Sequence, residues 1–366
     1  FLLKNFIYLM PEQKDINING MLTSLTSWFK DKLSCTDLKL ESLGSPENTG
    51  FSNETISLKA IYSKGNKLCE RSFVLRLKPT EFQVFPEYDL GKQVKVMNAL
   101  RKSGLPIPKV IWEEDNVEII STPFYVMQLI DGQAPSDSPP FHMDLNGWVS
   151  AASPFHRKEL WWGWVDSMSK VHLLDPEELN LLFLDQPLLG ETPLDQCLSY
   201  YENFLNWSLD GEQHEVCENV LAWLKENKPT DLLQKRLCWG DCRCGNILYK
   251  NYKPTALLDW EMASLGDPEM DLAWGIAIDD ANSLGLKVPR LKGFPESQQT
   301  IERWERNTGF KAKNYAYYRI LALFKFAVIM INTSKKMISI GFLEKDSNYY
   351  LDNHVTQYLS LEMEAI

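Results

Sequence analysis

The sequence predicts an α+β chain of two unequal lobes, a small antiparallel sheet followed by a larger helical part, and a change of hydrophobic period predicts it. Between Thr36 and Leu77 apolar and polar residues alternate in three runs, the period-two pattern of half-buried antiparallel strands. From Arg157 onward apolar residues recur at three and four spacing, which is the period of amphipathic helices. Strands first and helices afterwards put the boundary near Gly132, giving lobes 1–132 and 133–366. The 366 residues suffice for two lobes sharing a cleft, because single cores stop growing at about 250–300 residues.

The first three strands are L-K-L-E-S-L, T-I-S-L-K-A-I-Y and S-F-V-L-R-L, with the polar stretch Gly44–Asn53 as a hairpin loop between the first two. The third run carries Arg76; Pro79 stops it, which leaves Lys78 outside the strand. Leu90–Lys102 is an amphipathic helix with Val94, Met97 and Leu100 on one face, and Phe124–Gln128 is a strand leading into L-I-D-G. Residues 133–154, rich in Pro, Ser and Asp, form an irregular loop. Helices follow over Arg157–Leu173, Pro193–Asn206 and Gly211–Glu226, and again over Glu296–Trp304, Tyr315–Met337 and Asn348–Glu364.

Composition narrows the partners. With 44% hydrophobic and 24% charged residues the chain has an ordinary soluble make-up. A net charge of -11 argues against nucleic acid and anionic membranes, which reward clustered Lys and Arg, and leaves a small molecule as the expected partner. Seven cysteines without a paired framework fit reduced thiols in a cytoplasmic protein. Cys238, Cys242 and Cys244 cluster, but no fourth zinc ligand lies nearby, so they read as small fillers. The opening F-L-L-K-N-F-I-Y-L-M is too short and interrupted for a spanning helix and reads as a docked segment. The apolar stretch Tyr315–Ile331 contains Arg319 and Lys325 and reads as a core helix.

The stretch Leu237–Asp271 carries the chemistry: strand, polar loop, strand, second acidic loop, then a helix. It brings Asp241, Asn246 and Asp259 toward one volume, and two carboxylates with a carboxamide are hard oxygen ligands suited to magnesium and nucleotide phosphates. Asp241 and Asn246 stand five residues apart on a loop where Gly245 lets the backbone bend. Protein kinases place a catalytic Asp and a metal-binding Asn at that separation. The apolar run Ala256–Leu258 ends in Asp259, as a buried strand delivering one carboxylate would.

W-G-D-C-R-C-G-N followed by L-D-W-E-M-A-S-L-G-D-P-E-M-D-L-A-W resembles the aminoglycoside phosphotransferase-like, protein-kinase-like enzymes, in the branch related to the kinase domains attached to some acyl-CoA dehydrogenases. That family usually reads H-G-D-x-R-x-G-N and L-D-W-E-x-A-x-x-G-D-P-x-x-D-L-A. Weaker matches run over roughly Leu43–Met337. The resemblance implies a kinase-like bilobal fold, ATP and Mg2+ as cofactors, and transfer of the γ-phosphate to a hydroxyl of a small molecule. It implies that Asp241 orients the hydroxyl and takes its proton, that Arg243 neutralises the transferred phosphate, and that Asn246 and Asp259 hold magnesium. Gly50, Ser52 and Asn53 match the loop over the phosphates, and Arg76 the strand-three lysine. Gln93 stands at the place of its Glu partner. Met127 would border the adenine, with the backbone of Gln128 and Ile130 bonding it. The helices beside the catalytic loop, with Trp161, Trp162, Trp164, Tyr200, Tyr201 and Trp207, would shape the substrate pocket. Asp267 reads as a helix cap, Asp271 as an anchor for the catalytic-loop backbone, and Glu261 as facing metal or substrate.

Two departures bear on this. Trp239 replaces the usual His, which puts the loop geometry in question, and Gln93 brings no charge to the clamp, for which Glu87 or Asp89 could substitute. A nucleotide-binding pseudo-kinase and a non-catalytic interaction module are therefore the alternatives. The acceptor stays open: an aminoglycoside would favour an acidic pocket, a hydroxy acid or hydroxyacyl thioester a cationic one.

Overall fold

A computed structural model of the chain describes residues 18–44, 54–80 and 83–366, so Gly50, Ser52 and Asn53 lie outside the described residues. Helix α1 (Ile18–Leu33) comes first, unforeseen in the sequence reading. Leu25, Trp28, Phe29 and Leu33 form its apolar stripe at three and four spacing, and it covers one face of the sheet, against Ile56, Leu58, Phe73, Leu75, Leu77 and Val126. Strands β1 (Leu38–Gly44), β2 (Glu54–Lys64) and β3 (Lys67–Leu77) are followed by helix α2 (Leu90–Arg101) and strands β4 (Val110–Glu114) and β5 (Phe124–Gln128). Their order is β1-β2-β3-β5-β4, every neighbouring pair antiparallel. Because side chains alternate across a strand, Phe73, Leu75 and Leu77 face α1 while Val74 and Arg76 face the other way, opposite Met127 and Tyr125 in the register. Val94, Met97 and Leu100 of α2 share a core with Val74, Tyr125 and Met127 on that second face. Asp89 caps α2 by accepting the Lys92 amide at 2.7 Å, so it serves the helix end and does not substitute for Gln93.

The helical part comprises α3 (Pro154–His172), α4 (Pro193–Leu209) and α5 (Glu215–Glu226), then four short strands, then α6 (Glu269–Asp280), α7 (Ser297–Thr308), α8 (Tyr315–Ser339) and α9 (His354–Glu364). The sequence reading starts α3 three residues late, because Ser153 caps it and Pro154 occupies its first turn. Helix α6 is buried along its whole length. Helix α8 is long and apolar enough to cross a membrane by length and composition, with a mean hydropathy of 1.3, yet 78% of its apolar window is buried inside the protein, as a core helix requires.

The short strands place the chemistry. Strand β6 (Arg236–Cys238) pairs with β9 (Ser264–Gly266), and between them β7 (Ile247–Lys250) pairs with β8 (Lys253–Leu257). One pair is nested inside the other, so the loop after β6 and the loop after β8 run side by side. Asp241 and Asn246 sit on the first of these loops and Asp259 on the second. The Leu258 amide donates to the Asn246 carbonyl at 2.8 Å, which joins the two.

Candidate active site

Asp241 is held from three directions before any ligand is considered. The indole N–H of Trp274, on α6, donates to its Oδ1 at 2.8 Å, and Arg243 Nε donates to Oδ1 and Oδ2 at 2.9 and 3.1 Å. Asn246 Nδ2 donates to Oδ2 at 2.6 Å and to the Asp241 carbonyl at 2.9 Å. With its amide so committed, Asn246 turns its side-chain carbonyl oxygen away, the atom a hard cation would use. The far end of Arg243 donates to Asp137, a carboxylate on the irregular loop that the sequence reading did not single out. Burial lowers the guanidinium's affinity for its proton, but Asp137 and Asp241 outweigh this and hold Arg243 firmly charged. Burial in turn raises the Asp137 pKa, opposed by Arg243. Gly245 also leaves room for this ion pair: a Cβ would meet Arg243 Nη1 and lie 2.6 Å from Asp137 Oδ1, so those side-chain ends would have to shift.

The loop is fastened from behind. Asp271 accepts the amides of Trp239 at 2.6 Å and Gly240 at 2.9 Å, so it anchors the loop backbone. Its orientation is set by His172 Nε2 at 3.1 Å. Trp304 Nε1 donates to His172 Nδ1 at 2.9 Å, which leaves that nitrogen without a proton and puts the proton on Nε2, facing Asp271. Gly240 has φ +88 and packs so tightly on the Met262 carbonyl that no side chain fits. Asp267 accepts the amides of Leu233 and Glu269 at 2.9 Å each, at the start of α6, a structural use. Cys238, Cys242 and Cys244 are buried free thiols.

Trp239 answers the question of loop geometry. Its indole N–H donates to the carbonyls of Leu258 at 2.8 Å and Asp259 at 3.1 Å, and its ring stacks on Trp260 at 4.9 Å between centroids. It therefore ties the first loop to the second. Asp259 has φ +60, a left-handed conformation that non-glycine residues seldom take and that needs such support.

The expected clamp is built differently. Arg76 Nη2 donates to Asp259 Oδ1 at 2.8 Å and lies 3.8 Å from Glu261 Oε2, whereas Gln93 accepts from the Tyr125 hydroxyl at 3.3 Å. Gln93 is thus not the partner of Arg76. A buried guanidinium takes carboxylates over a neutral carboxamide, and Asp259, Tyr125 and Glu261 keep its pKa raised against the opposing effect of burial. Arg76 Nε is sealed from water with no hydrogen-bond partner among the described residues, an orphan donor suited to a phosphate oxygen. Met127 is buried opposite Val74, on the Arg76 face; the Gln128 amide donates to the Lys109 carbonyl at 2.8 Å, and Ile130 is half-buried just beyond the strand. Among the described residues no group of three or more His, Cys, Asp or Glu could hold a metal, so a cation at Asn246 and Asp259 would complete its shell with phosphate and water oxygens. Trp161 and Trp164 belong to the core, and Trp207 is exposed.

The description of the phosphotransferase enzyme family matches residues 50–294, more than half of the chain. The chain belongs to that family. The chain is 26% identical over 292 residues to "Acyl-CoA dehydrogenase family member 11" of Rattus norvegicus, covering 77% of this chain and 35% of that protein. It thus spans about a third of the length of that curated relative. Among solved structures, the chain is similar to a putative aminoglycoside phosphotransferase from Ralstonia eutropha, with TM-score 0.64, 18% identity, and coverage of 93% of this chain and 98% of that one. It is also similar to a thermostable mutant aminoglycoside phosphotransferase in ternary complex with AMP-PNP and hygromycin B, with TM-score 0.53, 15% identity, and coverage of 94% and 100%. The protein-kinase-like fold predicted from the motifs is the observed one.

Trp274 and Asp137 are the site residues that sequence reasoning missed. Trp274 was within reach, since it ends the quoted D-L-A-W three residues after Asp271. Asp137 left no signal, because it sits in an irregular loop and meets Arg243 only through the fold.

Proposed function

We propose that the chain is an ATP-dependent phosphotransferase that moves the γ-phosphate to an alcohol group of a small molecule. The observation that carries this reading is the Asp241 carboxylate, fixed by Trp274, Arg243 and Asn246 on a loop lying beside the one that presents Asp259. Phosphoryl transfer asks a protein mainly for alignment and charge neutralisation. Asp241 positions the acceptor hydroxyl and accepts its proton; Trp274 and Asn246 hold the carboxylate still while it does so. Arg243 offsets charge beside the transferred group, shared with Asp137. Arg76 places a buried, permanently charged guanidinium beside the nucleotide. Asn246 and Asp259 are the residues that would hold magnesium, which when bound screens the phosphate charge. Binding of AMP-PNP by a protein of this fold is consistent with the nucleotide assignment.

The pseudo-kinase reading has one observation behind it: Arg76 is tied to Asp259 and Gln93 to Tyr125, so the usual clamp is absent. Asp241→Asn separates the two. In an active enzyme, phosphate transfer to hydroxylated compounds from [γ-32P]ATP is lost in the variant while ATP affinity stays within a few-fold, because the metal ligands are intact. Equal transfer by both proteins would remove Asp241 from the mechanism, and no transfer by either, with ATP bound, would favour the pseudo-kinase.

A further inference from the structure

Lys325 lies in the middle of the apolar helix α8 and is only 6% exposed. Its ammonium rests over two ring faces, Trp274 at 4.7 Å and Tyr201 at 5.2 Å from the centroids. Among the described residues it has no hydrogen-bond or ion-pair partner, although an ammonium has three donors and a buried lysine is almost always paired. Two aromatic faces return less than an ammonium loses on leaving water, so the charge is undercompensated where it stands. The location decides what could compensate it. Trp274 is the residue whose indole N–H holds Asp241 at 2.8 Å, so Lys325, the indole and the proposed base form one layer. Burial raises the pKa of Tyr201, the second ring under the ammonium, and Tyr200, Cys197, Asp241 and Glu261 add to it in that order. Both residues are buried, Tyr201 at 5% exposure, and neither the Lys325 ammonium nor the Tyr201 hydroxyl bonds to a described residue.

We infer that Lys325, with the Tyr201 hydroxyl, is the specificity determinant of the acceptor pocket and takes an anionic group, a carboxylate or a phosphate monoester, borne by the molecule whose hydroxyl meets Asp241. The inference rests on the phosphotransferase reading above. It sets this chain apart from a relative by fold that holds hygromycin B, because an aminoglycoside brings cationic amines, which an unpaired ammonium repels. Lys325 takes no part in the chemical step; it fixes which molecules reach it.

The test uses the whole chain with magnesium and ATP and four matched series of hydroxyalkyl compounds: carboxylates, phosphate monoesters, the neutral methyl esters of the carboxylates, and trimethylammonium analogues such as choline. Phosphate incorporation is expected from one of the two anionic series, which distinguishes carboxylate from phosphate, and little from the ester and ammonium series. Lys325→Met, close in volume and apolar, should raise KM for the anionic acceptor at least about 10-fold, with kcat and the KM for ATP little changed, and Lys325→Arg should recover part of it. A second readout needs no turnover. Removal of an undercompensated charge should leave Lys325→Met with a melting temperature equal to or above that of the wild type. Preference for choline, an unchanged acceptor KM in Lys325→Met, a rise in the KM for ATP instead, or a lowered melting temperature would each overturn the inference. Bound and slowly hydrolysed ATP with no anionic acceptor turned over would sink this inference alone, whereas absence of any ATP binding would sink the underlying phosphotransferase reading.

Discussion

Single side chains here do more than one job, and Trp239 is the clearest case. A histidine at that position would be read as a support; the indole provides an N–H donor too, aimed at two carbonyls of the neighbouring loop, and adds a ring stacked on Trp260. Trp239→Phe keeps the stacking and loses the donor. It should cost about 1–3 kcal/mol in urea unfolding, because two carbonyls lose their buried donor. Magnesium-dependent nucleotide affinity should fall with it as Asp259 leaves its left-handed conformation, and Trp239→His should recover more than Trp239→Phe. Equal stability and affinity in all three would show that the donor is idle. At this scale the motif residues were legible because their spacing is local. The Gln93 assignment failed because it assumed that the strand-three cation looks toward α2, whereas Arg76 reaches carboxylates 183 and 185 residues further along the chain.

Among the elements, α9 is docked through a titratable end. His354, its first residue, faces the Tyr349 hydroxyl at 3.0 Å and the Asn282 side-chain oxygen at 3.4 Å, and burial pushes its pKa down to about 4. A histidine whose folded pKa lies below its unfolded value favours the fold while uncharged, and that contribution is lost as pH falls from about 6.5 through about 4. Stability should therefore decline across that window by up to about 3 kcal/mol from this group, and His354→Gln should flatten the decline in thermal melts taken at successive pH values. An unchanged slope in the variant would assign the acid sensitivity elsewhere. The elements legible in the sequence were the long periodic ones, α2 to α9, with α9 begun six residues early, together with the three alternating strands and β5. Helix α1 was missed because its apolar stripe follows a stretch that reads as a tail, and β4 because V-I-W-E-E is too short to show a period.

For the molecule as a whole, the Arg76–Asp259 ion pair joins the sheet to the acidic loops, so the proposed nucleotide site and the contact between the lobes share a residue. Magnesium with ATP should raise the melting temperature of the wild type, and Asp259→Ala should lose most of the magnesium-dependent part, since ligand stabilisation follows affinity for the native state. Equal shifts with and without magnesium in the wild type would discard the metal assignment. The fold class was legible because a period change marks it over long distances; of the proposed acceptor site only Tyr201 was named, since Trp274 and Lys325 sit on two other helices and join it only after packing. The nested strands carry a kinetic consequence. Asn251 and Tyr252 both take positive φ, the two-residue turn that suits the twist of a hairpin, so β7 and β8 can pair with little loop-closure entropy and β6 and β9 then close over them. The loops bearing Asp241, Asn246 and Asp259 therefore assemble through neighbours in sequence, while Arg76 arrives through a contact of high order. In a refolding chain, amides of Ile247–Leu257 should gain protection from exchange before those of β3 are fastened to the second loop, so Asp241 and Asn246 stand in place before Arg76 reaches Asp259.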